Sequence, residues 1–83
     1  MTYRVWPEHS VLRKMNGLPE AALDTLVRLL ARICDDPYDL VFSSPSLSVP
    51  GRRVADLGES GFIEFRVDEE AGLVRVYELV WTG

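Results

Sequence analysis

Cysteine is nearly absent from this 83-residue chain: Cys34 stands alone, which excludes an intramolecular disulfide and a cysteine-built zinc site. Histidine is as scarce. His9 has no second imidazole or thiol at ligand spacing, so the residues point to no metal and no cofactor. Lysine occurs once, because eight of the nine basic residues are arginine, the side chain suited to forked contacts with phosphate or carboxylate. No apolar run approaches the roughly 20 residues needed to span a bilayer. The opening Met1-Thr2-Tyr3-Arg4 lacks the apolar stretch of a secretory signal, and the expectation is a cytoplasmic protein without a membrane partner. Positive charge is in deficit too. Nine basic against thirteen acidic residues give a net charge of −4, which argues against bulk nucleic-acid binding but leaves room for a local basic patch.

What is present suffices for one core. A chain of this size buries roughly 60–65% of its unfolded surface, so residues 1–83 read as a single domain. Tyr3-Arg4-Val5-Trp6 is a short strand of β-formers. Pro7 then fits the first turn of a helix running to about Asn16, with Val11, Leu12 and Met15 on its apolar arc and Gly17 as a left-handed stop. Leu18-Pro19-Glu20 starts a second helix, ended near Cys34 by Asp35-Asp36-Pro37. Leu23, Leu26, Val27, Leu30, Ile33 and Cys34 recur at helical spacing as its buried face. Glu20, Asp24, Arg28 and Arg32 line the opposite side at four-residue steps.

From Pro37 to Gly51 the chain carries three prolines and four serines, which reads as an irregular connection. Three strands follow, at about Arg52–Leu57, Phe62–Val67 and Leu73–Trp81. Ile63, Phe65 and Val67 share one face of the second of these, and Val74, Val76 and Val80 share one face of the third. A four-residue loop from Asp68 to Ala71 sets Glu64 against Arg75 and Phe62 against Tyr77. Slipping that register by two sets Arg66 against Arg75, a like-charge pair, and is disfavoured. The order strand, helix, helix and three strands predicts an α+β fold, an antiparallel sheet with a helical hairpin on one face. The other face is left bare, carrying Glu64, Arg66, Arg75, Tyr77 and Trp81, with Arg53 joining them if its strand points that way.

The layout resembles the RelE/ParE toxin superfamily of bacterial toxin–antitoxin systems. The likeness is carried by Tyr3-Arg4-Val5-Trp6-Pro7-Glu8, by Leu18-Pro19-Glu20 before the long helix and by Asp36-Pro37 after it. Ser60-Gly61-Phe62 and Val67-Asp68-Glu69-Glu70 complete it, so that it spans nearly the whole chain. The resemblance implies an antitoxin partner and one of two activities: metal-independent cleavage of mRNA on the ribosome, or inhibition of DNA gyrase. RNA cleavage of that kind needs a group to take the ribose 2′-hydroxyl proton and cations for the developing oxyanion.

Glu64 is the candidate proton acceptor, with Arg53 and Arg66 as catalytic cations, while Arg52, Arg75, Tyr77 and Trp81 are candidates for holding substrate or partner. Each has a plainer reading beside it. Glu64 with the arginines is also an ordinary cross-strand ion-pair set. Tyr77 and Trp81 stack on a nucleobase in one reading and pack against Phe62 or a protein segment in the other. Cys34 reads as a small core residue, Asp35-Asp36 as a helix stop, and Ser43-Ser44-Pro45-Ser46 as loop. Three functions follow: a toxin acting on RNA or gyrase, a binding module of the same fold without catalysis, and a homodimer closed through the bare face.

Overall fold

Prolines set the boundaries of the first elements. The computed structural model describes residues 3–82; Met1, Thr2 and Gly83 lie outside the described residues. Strand β1 (Arg4–Pro7) leads into helix α1 (His9–Asn16), and α2 (Glu20–Asp35) follows. Pro7 closes the strand, as its sequence position suggests, but lies outside the helix: Glu8 donates its N–H to the Val76 carbonyl at 2.9 Å, and the Glu8 carbonyl then accepts from Val11 and Leu12. Pro19 sits immediately before α2, where its fixed φ suits a helix start and its missing N–H leaves nothing unpaired. Gly17 differs from expectation. Its φ is −94°, an ordinary right-handed conformation, because Gly17 and Leu18 end α1 by reaching back to the Lys14 and Met15 carbonyls.

After a long connection that contains the two-residue strand β2 (Ser44–Pro45), strands β3 (Arg53–Asp56), β4 (Gly61–Asp68) and β5 (Leu73–Trp81) complete one sheet of order β1-β5-β4-β3-β2. Four strands pair antiparallel, whereas β1 lies parallel to β5 through Arg4↔Leu73 to Pro7↔Val76. The antiparallel sheet with both helices on one face is as expected, except that β1 joins it as a parallel edge strand. A parallel neighbour requires a long crossover, and the two helices supply it.

Both helices cover one face. Val11 of α1 and Leu26, Leu30, Ile33 and Cys34 of α2 meet Ala55, Ile63, Phe65, Val74, Val76 and Leu79 in a single core. Leu12 and Val27, expected inside, are 45% and 54% exposed. Each lies about 100° round its helix from a neighbour that points into the core, and Leu29 packs against the core from the other flank of α2.

The β4–β5 hairpin adopts the register that charge argued against. Asp68 pairs with Leu73 and Arg66 lies directly opposite Arg75. Two local interactions offset the repulsion. Arg75 Nε donates to Asp68 Oδ2 at 3.3 Å, and Arg66 Nη2 leans away to the Pro50 carbonyl at 3.4 Å. Gly72 decides the matter: its φ of +66° belongs in the turn, whereas the other register places it in the ladder.

Further along, Phe65 pairs with Val76 but Glu64 pairs with Glu78, so Tyr77 is the extra residue of a β-bulge. The insertion reverses the alternation beyond it. Leu79 points into the core at 1% exposure, Trp81 packs against the same core, and Val80 turns to the bare face. Val80 and Trp81 have therefore exchanged the sides that strict alternation assigned them.

Candidate functional site: the uncovered sheet face

Three arginines form a rank across this face. Arg66 and Arg75 face each other on β4 and β5, and continuing the β3–β4 register by one residue sets Arg52 opposite Arg66. Neighbouring strands lie about 4.8 Å apart, so the rank spans on the order of 10 Å. A second rank, Val54, Glu64 and Glu78, runs beside it.

Arg52 connects the two ranks. Its Nη1 lies 3.0 Å from Glu64 Oε1, and its guanidinium carbon lies 4.4 Å from the centroid of the Tyr77 ring. Since Arg52 precedes β3 and Tyr77 sits on β5, the side chain must reach across β4 to make both contacts. It shields the carboxylate beneath, leaving the Glu64 side chain 17% exposed. Its own Nε is buried and meets no acceptor among the described residues.

Alternation from Arg75 already places Tyr77 on this face, whereas the contact of its ring with Arg52, two strands away, was not legible from periodicity. The other contributors that sequence reasoning missed are Glu78, Lys14 and Asp68. Lys14 comes round the sheet edge from α1, with Nζ 2.8 Å from Glu78 Oε1 and 3.1 Å from the Leu79 carbonyl. That ammonium holds the Glu78 carboxyl below the usual carboxylate range, with Arg52 adding a smaller pull. Asp68 is held low first by the Ala71 N–H and then by Arg75. The ion pair with Arg28 on α2, to Asp24 at 2.9 Å, lies far more exposed.

Arg53 and Trp81 do not belong to this constellation. Arg53 pairs with the core-facing Phe65, so its side chain emerges on the helix side. There it donates from Nε and Nη2 to Ser43 Oγ and the Ser43 carbonyl, at 3.1 and 3.3 Å, and lies 5.4 Å from the Tyr38 ring. Trp81 instead lines a groove with Lys14, Gly17 and Leu18.

A separate cluster ties the sheet end together. Glu69 accepts hydrogen bonds from Tyr3 Oη and Tyr38 Oη, both at 2.7 Å, which pushes the Tyr38 phenol up to about 12 and the Tyr3 phenol upward as well. Cys34 is buried on α2 and its thiol is pushed up by that burial. Among the described residues no group of three His, Cys, Asp or Glu is placed to hold a metal ion, and no helix is long and apolar enough to cross a membrane.

The open face therefore brings cations and a carboxylate together, with the half-buried Phe62 and Val80 side chains on the same face. Arg66 is exposed, and among the described residues its guanidinium hydrogen-bonds to the Pro50 carbonyl and to no carboxylate, which leaves it available to an anion.

No protein-family model matches the chain, and no curated protein does. Solved structures do match. Escherichia coli toxin RelE bound to an antitoxin RelBc peptide superposes with a TM-score of 0.84 at 15% identity, covering 100% of this chain and 86% of that one. The intact E. coli RelBE toxin–antitoxin complex gives 0.84 at 16% identity, with 98% of each chain covered. The RelBE2 complex of Mycobacterium tuberculosis gives 0.80 at 19% identity, covering 98% of this chain and 99% of that one. Each superposition spans essentially the whole of this chain, and the chain has the RelE fold.

Proposed function

We propose that this chain is the toxin of a toxin–antitoxin pair and inhibits translation by cutting mRNA on its uncovered sheet face, with an antitoxin as its restraining partner. The observation that carries the reading is the whole-length likeness to RelE toxins, matched in three structures of toxin–antitoxin complexes. In this mechanism the Glu64 carboxylate takes the proton of a ribose 2′-hydroxyl. The freed oxygen attacks the adjacent phosphorus, the bond to the 5′ oxygen breaks, and solvent protonates the leaving oxygen. The products are a 2′,3′-cyclic phosphate and a 5′-hydroxyl. Arg66 and Arg75, opposed on neighbouring strands, stabilise the charge that builds on the phosphate oxygens. Arg52 takes the place beside Glu64 that sequence reasoning assigned to Arg53.

A second reading has one observation in its favour. Arg52 and Arg75 are each paired with a carboxylate, Glu64 and Asp68, so most of the positive charge on this face is balanced. Balanced charge suits a protein surface better than a ribosomal RNA surface, and favours a binding module of the same fold without catalysis. Inducible expression of the chain alone in bacteria separates the two. The toxin reading expects growth arrest with cuts in translated mRNA. Normal growth with folded protein present refutes it and supports the binding module, and arrest with intact mRNA and broken DNA assigns the gyrase activity instead.

A further inference from the structure

Arg52 makes two contacts on the open face and leaves a third group unsatisfied. Its guanidinium lies over the Tyr77 ring at 4.4 Å and touches Glu64 at 3.0 Å, while Nε–H is buried with no acceptor among the described residues. A buried donor without an acceptor is costly, so this resting position is held only because the ring and the carboxylate offset that cost. Both anchors come from neighbouring strands, Glu64 from β4 and Tyr77 from the bulge position of β5. Arg66, directly across from Arg52, marks where an oxyanion would collect. We infer that Tyr77 is a positioning residue: its ring parks Arg52 over Glu64, and an incoming oxyanion lifts Arg52 away, giving its Nε–H an acceptor and uncovering the carboxylate. The inference rests on the open-face reading above for its biological ligand, a phosphodiester, but the movement itself requires only an oxyanion.

Two states, parked and lifted, make a quantitative statement. If the oxyanion binds the lifted state, its apparent affinity is reduced by the fraction of molecules parked. Weakening the anchor then strengthens binding, which is the opposite of what loss of a merely structural aromatic produces. Replacing Tyr77 by Leu removes the ring–cation attraction and should tighten inorganic phosphate binding about threefold to tenfold. Tyr77→Phe keeps the ring and should leave it unchanged. Arg52→Ala should remove most of the phosphate response in a protein that remains folded.

The experiment is a phosphate titration followed by NMR of the arginine Nε–H groups and backbone amides in the wild type and these three variants. The expected result is an Arg52 Nε–H signal displaced by the Tyr77 ring in wild type and Tyr77→Phe. Phosphate should move it toward the position it takes in Tyr77→Leu without ligand. Unchanged or weaker phosphate binding in folded Tyr77→Leu overturns the proposal, as does wild-type binding by Arg52→Ala. An effect of Tyr77→Phe equal to that of Tyr77→Leu also overturns it, by assigning the effect to the hydroxyl. Amide dispersion reports folding in each case. Because the readout uses no RNA, its success alongside normal growth on expression would remove the toxin reading and keep the movement, and the converse pair of results would do the reverse.

Discussion

The bulge at Tyr77 decides which residues of β5 face the core, and alanine substitution on either side of that decision tests it. Leu79 is 1% exposed and sits among Val11, Ile63 and Val76, whereas Val80 is half-buried on the bare face. Leu79→Ala removes three buried carbons and leaves a cavity, which costs about 2–5 kcal/mol. Val80→Ala removes two carbons that are already partly wet, a loss of roughly 0.5–1 kcal/mol. A domain of this length has about 4–12 kcal/mol of stability in all, so only the first substitution is severe. With about 4–8 °C of Tm per kcal/mol for domains of this size, Leu79→Ala lowers Tm by roughly 8–40 °C and Val80→Ala by less than about 8 °C. Urea and thermal unfolding, followed by tryptophan fluorescence and far-UV circular dichroism, measure both. A cost for Val80→Ala equal to or above that for Leu79→Ala would mean regular alternation in β5, with Trp81 facing outward and the face described above wrongly drawn.

Other consequences are more local. A Cβ at Gly61 would run into the Val80 carbonyl, so Gly61→Ala should destabilise the chain by more than about 2 kcal/mol in urea unfolding, while Gly17→Ala, at ordinary φ and 3.6 Å from the nearest backbone atom, should stabilise it by about 0.4–1 kcal/mol. Glu69→Gln should bring the Tyr38 phenol from about 12 back toward 10, read by ultraviolet titration; an unmoved midpoint would show that Glu69 does not hold it. Because that folded-state value is raised, the stabilising contribution of Tyr38 is complete below pH 10 and is lost as pH climbs through about 12. The carboxyls of Asp68, Glu69 and Glu78 shift the other way, so their contributions are present above the ordinary carboxylate range and fade on acidification below it. Cys34 should react with thiol reagents only as fast as the chain opens, and immediate labelling of the native protein would contradict its burial.

Much of the architecture was legible because it rests on periodicity and on prolines. Both helices, the bounds of β5 and the burial of Ile63 and Phe65 on one face of β4 follow from apolar spacing, and one bare sheet face follows from having only two helices to cover it. What escaped was anything that alternation cannot encode. A bulge leaves no mark in the residue pattern of Tyr77-Glu78-Leu79-Val80, so Trp81 was assigned to the wrong side. Charge opposition between Arg66 and Arg75 was given more weight than the φ demanded by Gly72, although an exposed like-charge contact costs little once Asp68 and the Pro50 carbonyl draw the two apart. Arg52 and Arg53 were distinguishable only by the phase of β3, a strand too short to show one, and β2 is shorter still. The order of elements led to the α+β fold, the resemblance to RelE/ParE toxins gave that fold its family, and the solved structures match it.

Cleavage on the Glu64–Arg66–Arg75 face is most directly tested by adding the purified chain to a reconstituted translation reaction and mapping the ends of the mRNA. The account predicts cuts only in ribosome-engaged message, leaving 2′,3′-cyclic phosphate and 5′-hydroxyl ends, with Glu64→Gln and Arg66→Ala slowing them at least about tenfold while remaining folded. Intact message and undiminished translation in the presence of folded wild-type protein would contradict it.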